Sequence, residues 1–158
     1  MNLPPFQALV DEHSAELYRF CVASAGWTEA DDCLQETWIA ALRAYPKLDS
    51  TRNLRAWLYR IAQNKAIDLH RARARRPVAV ESVPEQAQAG APAGGLDGQS
   101  ELLAALRGLP PKQRTAVFCR TLLGMPYDEL AELLESTEEA ARRNVFEGLK
   151  KLREEWTA

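Results

Sequence analysis

The chain has 158 residues, 46% of them apolar and 27% charged, which is enough to bury one or two small cores and excludes a chain disordered throughout. Its net charge of −2 argues against an autonomous duplex-binding domain, which usually carries a basic excess. No apolar run approaches the roughly 20 residues of a membrane span, and the start, MNLPPFQALVDEH, lacks a basic region leading into a long apolar stretch, so the expectation is a cytoplasmic protein without membrane insertion.

Phe6, Leu9, Val10, Leu17, Phe20 and Cys21 recur at helical spacing and predict a first helix from about Pro5 to Ala25, ended by Gly26. Thr28 or Glu29 opens a second helix, in which Leu34, Trp38, Leu42 and Tyr45 form an apolar stripe until Pro46 stops it. Its opposite side carries Asp31, Asp32, Gln35 and Glu36. A short, polar, turn-rich segment follows, from Tyr45 to Asn53. Asp49 or Ser50 is then expected to cap a third helix, with Leu54, Trp57, Leu58, Ile61, Ala62 and Leu69 buried and Arg55, Arg60, Asn64, Asp68 and Arg71 facing water or a partner. Arg71, Arg73, Arg75 and Arg76 close that helix, where basic groups complement its dipole and would also lie near phosphates if the helix crosses DNA.

From Pro77 to Ser100 the chain holds three Pro, four Gly and no hydrophobic period, which reads as a flexible linker with ends about 27 Å apart. Four further helices are predicted: about Glu101 to Gly108, Pro111 to Leu123, Tyr127 to Leu134, and Thr137 to Trp156. Glu135-Ser136 separates the last two by a turn short enough for a helix-turn-helix, with Thr137 or Ser136 as the cap of the second. Its buried face is Ala141, Val145, Gly148 or Leu149, and Leu152. Arg142, Arg143, Asn144, Phe146 and Glu147 are left as candidates for a major groove.

Chemistry of other kinds finds little in the chain. Cys21, Cys33 and Cys119 are odd in number, lack CxxC spacing and sit mostly among apolar helix positions, so packed thiols are expected. His13 and His70 have no Cys or His at ligand spacing, and neither a metal nor a cofactor is expected. There is no Gly-rich phosphate loop, no nucleophile motif and no paired carboxylates outside solvated faces, so an enzyme is not supported.

DDCLQETWIAAL (Asp31 to Leu42) followed by RAWLYRIAQNKAIDLHR (Arg55 to Arg71) resembles region 2 of bacterial RNA polymerase sigma factors, in particular the extracytoplasmic-function (ECF, group 4) class of the sigma-70 family. LRGLPPKQRTAVFCRTLLGMPYDELAELLESTEEAARRNVFEGLKKLRE (Leu106 to Glu154) resembles region 4 of the same class. The resemblance implies an all-α protein of two small domains: a region 2 bundle at 1–76 and a region 4 helix-turn-helix at 101–158, joined by the linker 77–100. It implies a factor that binds core RNA polymerase and promoter DNA, answers to an anti-sigma factor, and performs no covalent chemistry. Asp31, Asp32, Gln35 and Glu36 match the core-binding motif. The loop from Pro46 to Asn53 matches one that receives an unstacked base of the downstream (minus-ten) element. Lys47, Ser50, Arg52, Asn53, Arg60, Asn64, Asp68 and Arg71 are its candidate contacts. Within that set Arg60 and Arg71 suit phosphates, and the amide of Asn64 suits a base edge, though it would serve equally as a plain surface amide. Trp57 lies on the apolar stripe and reads as core, with base stacking the alternative.

Thr137, Arg142, Arg143, Asn144, Phe146 and Glu147 are the matching candidates for the upstream (minus-thirty-five) element. Here the chain departs from the family: Glu135 replaces the usual turn glycine, Ser136 stands where an apolar residue is common, and Asn144 and Glu147 replace typically basic residues. Residues 1–76 hold 11 Lys and Arg against 9 Asp and Glu, whereas 77–158 hold 9 against 13. An acidic C-terminal half leaves a second reading open, a sigma-like regulator whose C-terminal domain chiefly binds a protein.

Overall fold

The computed structural model describes residues 3–48, 53–75 and 97–157, which form seven α-helices and no strand. The proline pair Pro4-Pro5 cannot extend a helix backward, and α1 (Phe6–Ala25) begins immediately after it. It ends at Gly26, whose φ of 89° and ψ of 162° lie in a region open essentially to glycine alone, with its N–H closing on the Val22 carbonyl at 2.9 Å.

The second helix, α2 (Ala30–Ala44), is rolled relative to the expected stripe. Ala30, Cys33, Thr37 and Ala41 are buried, Leu34 and Trp38 half-buried, and Leu42 is 55% exposed. Small side chains let α2 lie close against α1 and α3, and closeness decides the face more strongly than the size of Leu42 does. The buried Thr37 hydroxyl is satisfied by the Cys33 carbonyl at 2.7 Å. A short 3-10 turn, Tyr45–Lys47, follows, and Phe6 packs edge-on against both Trp38 and Tyr45.

The third helix, α3 (Leu54–Arg75), begins later than its expected caps, Asp49 and Ser50, which lie outside the described residues. Asn53 precedes it with φ of 55°, a left-handed conformation that Asn tolerates better than most residues. Ala56, Leu58, Tyr59, Ala62 and Ala66 are buried, while Leu54, Trp57, Ile61 and Leu69 are half-buried. The stripe is wider than expected because α3 packs on α1 and α2 along one side and on α5 and α6 along another.

Most of the expected linker, 77–96, lies outside the described residues; its last four residues, 97–100, already belong to α4 (Asp97–Arg107). Then come α5 (Pro111–Val117), a π-type turn over Phe118–Leu122, α6 (Tyr127–Leu133) and α7 (Glu138–Thr157). Arg114 of α5 donates to the carbonyls of Leu106, Arg107 and Leu109 at 3.1, 3.2 and 2.9 Å, sealing the end of α4. Burial and the neighbouring Arg107 push its pKa down to about 10. Gly148 is required where α7 crosses α5, since a Cβ there would stand 2.6 Å from a Val117 methyl.

The two sequence halves share one core. Phe20 of α1 meets Tyr59 of α3 and Phe118 of the π turn at centroid distances of 5.4 and 5.2 Å, and all three rings are fully buried. Cys21, Cys33 and Cys119 are buried free thiols. A hydrogen bond that the Cys21 thiol donates to Cys33, together with burial, pushes the Cys21 thiol up, away from reactivity.

Between α6 and α7 the Ser136 N–H reaches the Ala131 carbonyl at 2.9 Å and the Glu135 N–H reaches Glu132 at 3.1 Å, the two bonds of a Schellman turn. Glu135 occupies its left-handed position, φ 53°, where a Cβ is strained. Glu135→Gly is therefore expected to stabilise the protein by about 0.5–1 kcal/mol, relief of strain exceeding the added backbone entropy of the unfolded chain. Urea or thermal unfolding of the variant beside the parent checks it; an unchanged or lower midpoint would contradict it.

Candidate nucleic-acid interface

Three surfaces carry the residues singled out in the sequence. On α2, Asp31, Asp32, Gln35 and Glu36 are all exposed, and none of the three carboxylates enters an ion pair among the described residues. Ile39, 46% exposed, falls on the same ridge at i+4 from Gln35 and i+3 from Glu36, and the outturned Leu42 lies at its edge. The ridge thus combines unpaired carboxylates with two large exposed apolar side chains at its end. Ile39 was legible from its spacing; Leu42 was hidden by its place in the apolar series.

On α3, Arg60, Asn64, Asp68 and Arg71 follow one another at i, i+4, i+8 and i+11, and the last three are exposed. Lys47 is exposed in the turn after α2, while Ser50 and Arg52 lie outside the described residues. Arg60 and Asn53 are not free. The Arg60 guanidinium donates to the carbonyls of Glu132 and Leu133 at 2.6 and 3.4 Å, and the Asn53 amide donates to the Glu132 carboxylate.

The third surface is the outer face of α7. Thr137 caps it through Oγ1, which accepts the Ala140 N–H at 3.0 Å. Ala141, Val145, Gly148 and Leu152 are buried, turning Arg142, Arg143, Phe146 and Glu147 outward; Phe146 is 63% exposed. Asn144 is withdrawn, half-buried with its amide on the Ala140 carbonyl at 3.1 Å. Sequence reasoning missed Arg120 and Tyr127. The Arg142 guanidinium lies over the Tyr127 ring at 4.3 Å from its centroid, and Arg120 lies over the same ring at 4.1 Å. Arg142 is thus held in one orientation with its charge still exposed. Glu138 adds a carboxylate at 3.8 Å.

Among the described residues no cluster of three His, Cys, Asp or Glu side chains is placed to hold a metal, and no helix is long and apolar enough to cross a membrane.

The fold is thus a three-helix unit with an acidic ridge and a basic, amide-bearing helix, followed by a helix-turn-helix unit. The sigma-70 region 2 family matches residues 9–76 and the sigma-70 region 4 family matches residues 99–152. The ECF RNA polymerase sigma factor SigD of Mycobacterium tuberculosis is 34% identical over 151 residues, 89% of this chain and 71% of the relative. The ECF RNA polymerase sigma-E factor of Haemophilus influenzae is 25% identical, over 89% of this chain and 82% of the relative. Among solved structures, CnrH in complex with the cytosolic domain of CnrY superposes with a TM-score of 0.72 at 25% identity, covering 96% of this chain and 87% of that one. The sigma factor RpoE of Bartonella quintana, in complex with the anti-sigma factor NepR, has the same fold, with a TM-score of 0.72 at 24% identity over 94% of both chains. The chain belongs to the ECF class of the sigma-70 family. It is a sigma factor, a non-enzymatic partner of core RNA polymerase and promoter DNA in transcription initiation.

Proposed function

We propose that this sigma factor works in the cytoplasm through the three surfaces in turn. The α2 ridge docks on core polymerase, the α3 stripe with the loop before it holds the melted downstream element, and α7 reads the upstream element as duplex. The corresponding division is 1–76 for the first two tasks and 101–158 for the third, with 77–100 as the connection, of which 97–100 is already helical. An anti-sigma factor is the regulatory partner; the Bartonella factor, which shares the fold, is held in a complex with the anti-sigma factor NepR, and CnrH in one with the cytosolic domain of CnrY.

The observation that carries this reading is the opposite character of two adjacent helix faces. Acidic and apolar groups stand out on α2, and cationic and amide groups on α3, in a chain whose net charge of −2 suits it poorly to duplex DNA by itself. Opening duplex costs a few kcal/mol per unstacked base, and contacts available only to the single strand offset it. Asn64 can supply base-edge hydrogen bonds, and Arg71 a phosphate contact.

Exchanging residues 46–53 for the loop of another sigma factor is expected to change the base preferred in the downstream element, and Asn64→Ala to lower discrimination there about tenfold. Promoter opening by reconstituted holoenzyme on a library randomised in that element measures both. Unaltered base preference in the loop exchange would remove the downstream assignment.

A further inference from the structure

Where the end of α1, the second half of α3 and α4 come together they leave a cavity of about 30 Å³, whose polar lining is Ser24, Glu29, His70, Arg73 and Arg107. That volume accepts about one or two oxygen-sized atoms, and its mouth meets solvent through the exposed His70, Arg73 and Arg107. The cations around it are poorly answered. Arg107 covers the backbone that ends α1, its guanidinium carbon 2.9 Å from the point where a Cβ on Gly26 would stand. That guanidinium enters no ion pair and donates no hydrogen bond among the described residues. Arg73 has Glu29 at 3.9 Å, beyond hydrogen-bond reach, so two guanidiniums stand against one loosely held carboxylate. The field of Arg107 extends to Arg114, whose pKa it helps burial to lower. The Ser24 hydroxyl, in the lining of the same cavity, is buried without a hydrogen-bond partner. An unmet hydroxyl is a standing cost that an acceptor oxygen removes.

We propose that this cavity is a binding site for a phosphate group carried by a small phosphorylated molecule. A guanidinium offers parallel N–H donors that match two oxygens of an oxyanion, a match a halide lacks. One phosphate oxygen enters the cavity and accepts from Ser24, its neighbours meet Arg107 and Arg73, and the ester oxygen faces solvent with the remainder of the ligand. Glu29 opposes the anion, yet a doubly charged phosphate gains more from two guanidiniums than it loses to a single carboxylate. Ser24 and Arg73 belong to helices of the first unit and Arg107 to one of the second, so the site is complete only with α1, α3 and α4 in place. A bound phosphate favours that arrangement by mass action.

The test adds inorganic phosphate to the full chain in exchange for sodium chloride at constant ionic strength, following calorimetric binding and the thermal unfolding midpoint. Half-saturation is expected at about 1 mM, with a midpoint that rises as phosphate does. Arg107→Ala should weaken binding about tenfold, and Arg107→Lys should recover only part of the loss, because an ammonium lacks the planar fork. Ser24→Ala is the cleaner probe. It deletes a hydroxyl that has no partner, so the phosphate-free midpoint should stay at or above that of the parent while affinity falls. Arg43→Ala, at an exposed arginine of α2 outside the cavity, should bind phosphate as the parent does. Equal midpoints in phosphate and chloride overturn the site. So does a loss in Arg43→Ala as large as that in Arg107→Ala, which would mean general attraction to a basic surface, or unchanged affinity in both Ser24→Ala and Arg107→Ala. Glucose 6-phosphate and a duplex DNA of randomised sequence then separate the sources of the group: displacement of phosphate by the sugar phosphate but not by duplex supports a small ligand, and displacement by duplex alone overturns it in favour of the DNA backbone.

Discussion

Reversing Asp32 and Glu36 to lysine is expected to abolish holoenzyme formation while leaving the chain folded. Both carboxylates are exposed on α2 and neither is spent on an internal ion pair among the described residues, so their charge is available to a partner. Placing like charges against a complementary surface costs several kcal/mol, and two reversals should weaken binding by at least about a hundredfold. The cost to the fold is small by comparison. Asp32 lies in the first turn of α2, where losing a favourable dipole interaction costs about 0.3–1 kcal/mol, and an exposed Glu36 substitution stays within about 0.5 kcal/mol. Co-elution with core polymerase on a sizing column, beside a thermal unfolding curve, separates the two effects. Ile39→Asp supplies an independent probe of the same ridge without reversing a charge. Undiminished co-elution of the double lysine variant would remove α2 as the docking surface.

Most of the helices, and the charged residues that α2 and α7 turn outward, were readable because periodicity and turn chemistry are local. Gly26 ends α1, and Thr137 caps α7 through the bond its position foretells. The roll of α2 was misjudged because hydropathy weights Leu42 above Cys33, Thr37 and Ala41, although small residues are what allow α1 and α3 to approach. The early start of α4 was missed because its first turn, Asp-Gly-Gln-Ser, has the composition of a loop. What covers a face is the harder question. Arg55 and Arg60 were expected to meet water or a partner, yet that partner is the chain itself, 72 to 74 residues away in sequence. The Arg120, Tyr127 and Arg142 stack was invisible for the same reason, since its members belong to three separate elements.

That stack sharpens the expectation for upstream recognition. With Asn144 folded back on its own helix and Glu147 acidic, the outer face of α7 offers Arg142 and Arg143 as its cations over residues 137–147, and Arg142 is already oriented by Tyr127. Fixing a guanidinium before binding lowers the entropy lost on contact, so Arg142 should contribute more than a freely rotating arginine. Arg142→Ala in holoenzyme is expected to reduce transcription from a promoter that depends on its upstream element about tenfold or more, with Arg143→Ala additive if the two touch different groups. Arg142→Lys should fail to rescue, because an ammonium lacks the planar face that stacks on the ring. Each phosphate contact removed should also flatten the salt dependence of promoter binding by about 0.9 log units of slope. Glu147→Arg should act in the reverse sense, raising affinity for any duplex while loosening selectivity, since it adds a phosphate contact and deletes an acceptor suited to cytosine. Salt titrations of holoenzyme binding, with and without the upstream element, separate these outcomes. If Arg142→Ala and Arg143→Ala together leave dependence on the upstream element untouched, α7 does not read DNA. Its exposed Phe146, at the centre of a face with few cations, would then mark the C-terminal unit as chiefly a protein-binding module.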